Sequence, residues 1–188
     1  MALLNLTIGS FSSGVVAATS SYESIATFNA TGSETTFDFT SIPATYKHLQ
    51  LRALFQRTTS TQLDVGIRLN SDTGSNYSQH SLSGDGSVVA AAGAANNSYV
   101  AIGVGPGGGT GNYFGASIVD IIDYASTTKN KTIRSFNGAN TNNAGISAIK
   151  LLSGAWYNTT AVNAITIFTF GDAMNTNTTF ALYGIKGA

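Results

Sequence analysis

Residues 62–70 read QLDVGIRLN, and their side chains alternate strictly between polar and apolar. Successive side chains of a strand point to opposite faces of a sheet, so this alternation predicts a half-buried β-strand. Residues 48–56, HLQLRALFQ, repeat the pattern. Because only the short polar stretch RTTST separates the two segments, we expect them to form an antiparallel hairpin.

Similar segments recur along the whole chain. They are rich in β-branched or aromatic residues and are bounded by turn formers: YESIATF, TTFDFT, SYVAIGV, ASIVDIIDY, KTIRSF, ISAIKLLSGAWY, VNAITIFTF and TFALYGI. Helical periodicity is weak, since the nearest candidate, SVVAAAGAANN at 87–97, is interrupted by Gly93. Many short strands with turns between them predict an all-β fold, either a sandwich or a barrel.

Two turn-rich stretches and the end of the chain complete this layout. Residues 70–87, NSDTGSNYSQHSLSGDGS, and residues 103–112, GVGPGGGTGN, predict surface loops. The closing TFALYGI predicts a last strand packed on both sides within the fold, with Lys186 as the first solvent-facing residue beyond it. We therefore expect one domain.

The composition limits the classes of partner. The 188 residues include no Cys, which excludes disulfides, thiolate metal sites and Cys nucleophiles. Nine basic residues balance nine acidic ones, and charged residues make up only 10% of the chain. Neither nucleic acid nor an anionic membrane is therefore an implied partner. A neutral surface rich in hydroxyl and amide groups suits a protein that packs against other proteins.

The loop 70–87 offers the nearest approach to a reaction centre. His80 has Ser78, Ser81, Asp72 and Asp85 nearby in sequence, which are the residue types of a hydrolase triad. No GxSxG nucleophile motif accompanies them, so we favour a hydrogen-bonded loop histidine. Oxygen ligands from Asp72, Asn76 and Asp85 are a lesser possibility for calcium, without the EF-hand pattern. No cofactor motif is found, because the Gly-rich 103–112 stretch precedes a strand instead of opening a helix.

Aromatic residues raise a second alternative. Trp156 in SGAWYNTT and Tyr77 in the 70–87 loop could stack on a sugar ring, as aromatic platforms do in lectins. A Trp at the end of a strand also fills a core well, and for Trp156 we favour that interpretation.

A family resemblance adds to these observations. The segments TFDFTSIPATYKHLQLRAL, GIRLNSDTGSNYSQHSLSGDG, VDIIDYASTTKNKT, SGAWYNTTAVNAITIF and FALYGIKGA resemble a group of small virion proteins of tailed bacteriophages. SIPATYKHLQ, DTGSNYS and the terminal LYGIKG are the most specific marks. The resemblance covers nearly all of residues 22–188, apart from the stretch 88–112.

The resemblance implies an antiparallel β-sandwich of jelly-roll type and a structural role in the virion, without enzymatic activity, catalytic residues, metal or cofactor. Capsid cement or decoration is the leading expectation, with the major capsid protein as partner. Such proteins often occupy threefold positions, so a homotrimer is expected. The alternative is a tail fibre or tail tip component that binds host-surface carbohydrate.

Residues 1–21 precede the region of resemblance and are expected to form an arm or an extra strand. Residues 22–188 would then form the single sandwich domain. The apolar spacing of the arm calls for a partner surface, and its expected contact residues are Leu3, Leu4, Leu6 and Ile8. Within the domain, the expected contacts with a partner or ligand are Tyr77, His80 and Trp156.

Overall fold

The structure is a computed structural model that describes residues 20–59, 63–107, 111–142 and 148–187. These residues form twelve β-strands and contain no helix. In chain order the strands are β1 Tyr22–Asn29, β2 Thr36–Phe39, β3 His48–Phe55, β4 Leu63–Leu69, β5 Tyr77–Gly84, β6 Val89–Asn97, β7 Val100–Gly105, β8 Gly115–Ile122, β9 Lys131–Ala139, β10 Ala148–Trp156, β11 Ile165–Phe168 and β12 Thr179–Ile185.

The strands form two antiparallel sheets. The large sheet has eight strands in the order β1-β12-β3-β8-β9-β10-β5-β6, and the small sheet has four in the order β2-β11-β4-β7. Strand β7 of the small sheet packs over β8, β9 and β10 of the large one. The predicted all-β sandwich is therefore confirmed, while its jelly-roll form stays a prediction.

Alternation along the strands fills the space between the sheets. Leu49, Leu51 and Phe55 of β3 are fully buried on the inner face of the large sheet. The ring of Phe180 in β12 has its centroid 4.9 Å from that of Phe37 in β2 and 5.9 Å from that of Phe55. Because β2 belongs to the small sheet, these aromatic rings connect the two layers, and each buried side chain contributes about 1.5–3 kcal/mol.

A buried amide also joins the sheets. Asn137 of β9 accepts a hydrogen bond from the backbone N–H of Val104 at 3.1 Å and donates one to the carbonyl of Ala116 at 3.1 Å. Gly103 of β7 lies against it with φ of 144°. A Cβ at Gly103 would lie 2.4 Å from the Asn137 side chain, so only glycine fits there.

Lys131, the first residue of β9, is a fully buried cation. Its Nζ donates to the backbone carbonyls of Ser126, Lys129 and Thr159 at 2.8, 2.8 and 3.0 Å. Since Thr159 follows β10, the ammonium group ties the β8–β9 turn to the loop beyond β10. Three carbonyl dipoles compensate here for removing the charge from water.

The expected hairpin of residues 48–56 and 62–70 is wrong. Strand β3 lies in the large sheet and β4 in the small one, so the chain crosses between layers after Phe55. Arg57 explains the crossing: its side chain is fully buried, a guanidinium nitrogen donates to Asp172, and its backbone N–H donates to the carbonyl of Pro106 at 2.9 Å. The first residue of the polar stretch is thus anchored in the interior, which leads the chain away from the large sheet instead of back along β3.

The expected surface loop at 70–87 needs correction, because residues 77–84 form strand β5. The stretch 87–97, where helical periodicity was weak, contains strand β6. Sheet pairing explains both, because β5 lies between β10 and β6 and gains backbone hydrogen bonds on both edges. Tertiary context overrides the turn propensity of Ser and Gly and the helix propensity of Ala.

The closing strand β12 alternates as predicted. Phe180 and Leu182 are fully buried, whereas Ala181, Tyr183 and Ile185 are half-buried on the outer face of the large sheet. The expectation of packing on both sides is therefore wrong, because only one face of β12 meets the small sheet. Lys186 follows it, and its Nζ lies 3.0 Å from Glu23 Oε2 at the surface.

Candidate functional site

Four large apolar side chains lie on the outer face of the large sheet, the face directed away from the small sheet. Ile118, Phe136, Leu151 and Leu82 expose 46, 53, 52 and 49% of their surface. They come from β8, β9, β10 and β5, which are four adjacent strands. We call these four side chains the apolar row.

The strand register makes the row continuous. Ile118 lies opposite Phe136, Phe136 opposite Leu151, and Leu151 opposite Leu82. Adjacent strands are about 4.8 Å apart, so the row spans about 14 Å. Four half-exposed large side chains present on the order of 400 Å² of apolar surface, an extent that in monomers often marks an interaction site.

The surface on one side of the row carries no charged residue and few large side chains. Ala116, Gly138 and Gly84 lie there together with Ile149, which is 58% exposed. Glycine has no side chain and alanine has only a methyl group, so another protein surface can approach the backbone of the sheet closely here. The shape suits a broad contact rather than a small molecule.

The opposite side of the row is polar. His80, Ser153, Arg134 and Asp120 lie side by side across the same four strands. A guanidinium nitrogen of Arg134 lies 3.7 Å from Asp120 Oδ2. The polar and apolar rows together line an open depression of about 610 Å³. An apolar centre with polar groups at its border is the usual anatomy of a protein interface.

The structure does not bring together the residues that a hydrolase triad would need. His80 is an exposed residue of strand β5, so the interpretation as a hydrogen-bonded loop histidine is wrong. Asp120 lies three strands away, about 14 Å across the sheet. The Ser78 hydroxyl lies 2.9 Å from the Tyr157 hydroxyl instead. Within the described residues, His80 has no hydrogen bond to a carboxylate that could orient it as a base.

Burial rules out direct ligand contacts by Tyr77 and Trp156. Tyr77 is 0% and Trp156 1% exposed, and their stacked rings have centroids 6.3 Å apart. Burial raises the pKa of Tyr77 to about 12, and its hydroxyl accepts a hydrogen bond from the backbone N–H of Leu69 at 3.0 Å. The core interpretation of Trp156 is confirmed, and the expected contact role of both residues is wrong.

Asp72 is a hydrogen-bond acceptor for this core. Its Oδ2 accepts hydrogen bonds from Trp156 Nε1 at 2.7 Å and Asn76 Nδ2 at 2.9 Å, and its Oδ1 accepts one from the Gly74 N–H at 2.8 Å. These bonds, led by that of Trp156, lower the pKa of Asp72. Asp85 lies beyond the far end of β5, where it accepts the N–H groups of its own turn. No cluster of three metal-ligating side chains is found among the residues described.

His80, another expected contact, is exposed beside the apolar row, and its contact role stays a prediction. The remaining expected contacts are Leu3, Leu4, Leu6 and Ile8, which lie outside the described residues. Their role, like that of the arm 1–21, stays a prediction. The apolar row itself was not among the expected sites. A usable indication was in the sequence, because SIVDII at 117–122 and AIKLL at 148–152 place apolar residues on both faces of a strand.

Comparison with known proteins finds no family model and no curated sequence that matches this chain. The described part of the chain has no helix of the length and hydrophobicity needed to cross a membrane.

Proposed function

We propose that this chain is a non-enzymatic structural protein of a tailed-bacteriophage virion, acting as a capsid cement or decoration protein. In this role its outer sheet face binds the major capsid protein on the shell surface. The observation that carries the proposal is the exposed apolar row on the outer sheet face, with small uncharged residues on one side and a polar border on the other. The sequence resemblance to phage virion proteins is the reason for proposing a phage virion as the particle.

The physical basis of cementing is burial of this face between subunits. A standard interface buries about 800 Å² per partner, of which somewhat more than half is apolar. The row and Ile149 supply most of such an apolar centre. Binding of this kind stabilises the assembled shell by mass action, because the contacts exist only in the folded, assembled state.

The chain path supports the jelly-roll part of the proposal. Strands β2, β4, β7 and β11 lie in the small sheet, and every segment between them crosses into the large sheet. Within the small sheet, β2 pairs with β11, so the first strand of the wrapped set lies beside the last. Such a return of a late strand to the first is the Greek-key element from which jelly rolls are built.

The tail fibre or tail tip alternative is weaker. It depended on aromatic stacking by Trp156 and Tyr77, and both rings lie in the core. No observation on the described residues favours carbohydrate over protein as the occupant of the outer face.

The proposal is tested with the phage that encodes this chain. Particles carrying Phe136→Ser with Leu151→Ser should lose the protein during purification and lose heat resistance. Truncating two central apolar contacts is expected to weaken binding at least about tenfold. The measurements are the amount of the protein per particle and the temperature at which the genome is released.

A matched control is Phe170→Ser, since Phe170 is 45% exposed but packs with Tyr99 and Phe168 away from the row. Particles with this change should keep both the protein and the heat resistance. Full retention of the row variant on intact particles would contradict the proposed docking face.

A further inference from the structure

Strand β6 is a free edge of the large sheet. It pairs with β5 on one side, and no described strand lies on the other. Its sequence is VAAAGAANN, and every position from Val89 to Asn96 is exposed. Both faces of the strand are therefore open, in addition to the backbone groups along its outer edge.

The composition of β6 does not match this exposure. A near-continuous run of small apolar residues is typical of a strand covered on both faces. An exposed strand would normally alternate apolar with polar residues. The residues of β6 thus fit a covered strand, although none of the residues that the structure describes covers it.

The edge also lacks the usual protection against pairing. Natural edge strands carry charges, proline or bulges that discourage another chain from adding to the sheet. Strand β1, at the opposite edge, has Glu23 and a bulge between Ser24 and Ala26. Strand β6 has neither a charged residue nor a proline, and its single irregularity lies towards Asn97, so Val89–Ala94 pair regularly with β5.

The strand is held firmly in this position. Asp85 Oδ1 in the β5–β6 turn accepts the backbone N–H groups of Ser87 at 2.8 Å and Val88 at 2.7 Å. These bonds lower the pKa of Asp85. A fixed edge loses little conformational freedom when it binds, which favours association.

We propose that β6 is a self-association surface, covered in solution by a second copy of this chain. An uncharged edge has no electrostatic complement to offer a charged partner, whereas another copy brings the same apolar residues and the same unpaired backbone groups. A two-fold contact between identical edges is antiparallel by symmetry, as is every strand pair in this sheet.

The length of the strand agrees with a stable contact. Nine residues form a strand about 30 Å long, so pairing with the same strand of a second copy satisfies the backbone groups along this whole edge. Leu82, which lies opposite Ala91 on the outer face, is the nearest large apolar side chain to the contact. This inference does not depend on the proposed virion role.

The absence of Cys from the sequence permits a clean test on the full-length protein. Ala92→Cys places a thiol on β6, and Thr27→Cys places one on the exposed, guarded edge β1. Light scattering after gel filtration gives the oligomeric state, and maleimide labelling gives the accessibility of each thiol. We expect an oligomer in which Ala92→Cys reacts at least about tenfold more slowly than Thr27→Cys, with the difference vanishing on dilution.

A second pair of variants checks the same contact without labelling. Ala92→Lys should yield a monomer with an unchanged circular dichroism spectrum, because a charge on the edge blocks pairing. Thr27→Lys should leave the oligomer intact.

Three results would overturn the inference. The first is a monomer at every concentration with equal reactivity of the two thiols. The second is an oligomer that Ala92→Lys does not affect. The third is protection of Ala92→Cys in a monomer that disappears with Leu4→Asp and Leu6→Asp, which would make the N-terminal segment the occupant.

Discussion

Replacing Asp72 by alanine should destabilise the fold through Trp156. The carboxylate is the acceptor for Trp156 Nε1 at 2.7 Å, and Trp156 is 1% exposed, so the alanine variant leaves a buried donor without a partner. Such an orphaned donor costs about 1–3 kcal/mol. Loss of the bonds from Asn76 and Gly74 adds about 1 kcal/mol more, which brings the total to about 2–4 kcal/mol.

The assay is urea unfolding followed by fluorescence, since Trp156 is the one tryptophan of the chain. With a urea dependence of about 2 kcal/mol per M for a domain of this size, the midpoint should fall by about 1–2 M. Asp85→Ala is the matched control, because Asp85 also accepts two backbone N–H groups but holds no buried donor. Its loss of stability should be clearly smaller.

The pH dependence follows from the lowered pKa of Asp72. A depressed folded-state pKa means that the unfolded chain binds the proton more readily. The stabilisation is therefore complete above the ordinary carboxyl pKa of 3.8 and is lost as the pH falls through the lowered value. The difference in urea midpoint between the unaltered protein and Asp72→Asn should therefore become smaller as the pH falls through this range. An unchanged midpoint for Asp72→Ala, or marked stabilisation by calcium, would refute the structural role of this carboxylate.

Two further substitutions test the core. Gly103→Ala should cost more than about 2 kcal/mol, because φ is 144° and the new Cβ would meet Asn137 at 2.4 Å; Gly138→Ala, with open space around it, should be nearly neutral in the same urea assay. Lys131→Met should cost about 2–4 kcal/mol, because three backbone carbonyls lose their donor. The exposed Lys129→Met serves as its control, and equal thermal unfolding of the two lysine variants would contradict the proposed tie between loops.

Local alternation allowed much of the fold to be predicted. Strands β3 and β4 follow from period-2 patterns that one buried face imposes on the chain. Strands β5 and β6 were harder to predict from the sequence, because Ser, Gly and Ala have weak strand propensity. Pairing with neighbouring strands decides their structure. The sheet to which β3 and β4 belong could not be read from either segment, since Arg57 becomes buried only through its distant partner Asp172.

The candidate site was less predictable than the fold. Leu82, Ile118, Phe136 and Leu151 are far apart in sequence, and only the register of four strands brings them into one row. Trp156 and Tyr77 drew attention because aromatic rings serve both cores and sugar sites. Their burial, which depends on packing across the whole sandwich, decides between the two uses.

The proposed role in a virion shell is tested most directly by the copy number of the chain relative to the major capsid protein in purified virions, measured by quantitative mass spectrometry. A cement protein is predicted to be present at a fixed, high ratio to the shell subunit. Absence from purified virions would contradict the virion role, and a few copies per particle would contradict the shell position.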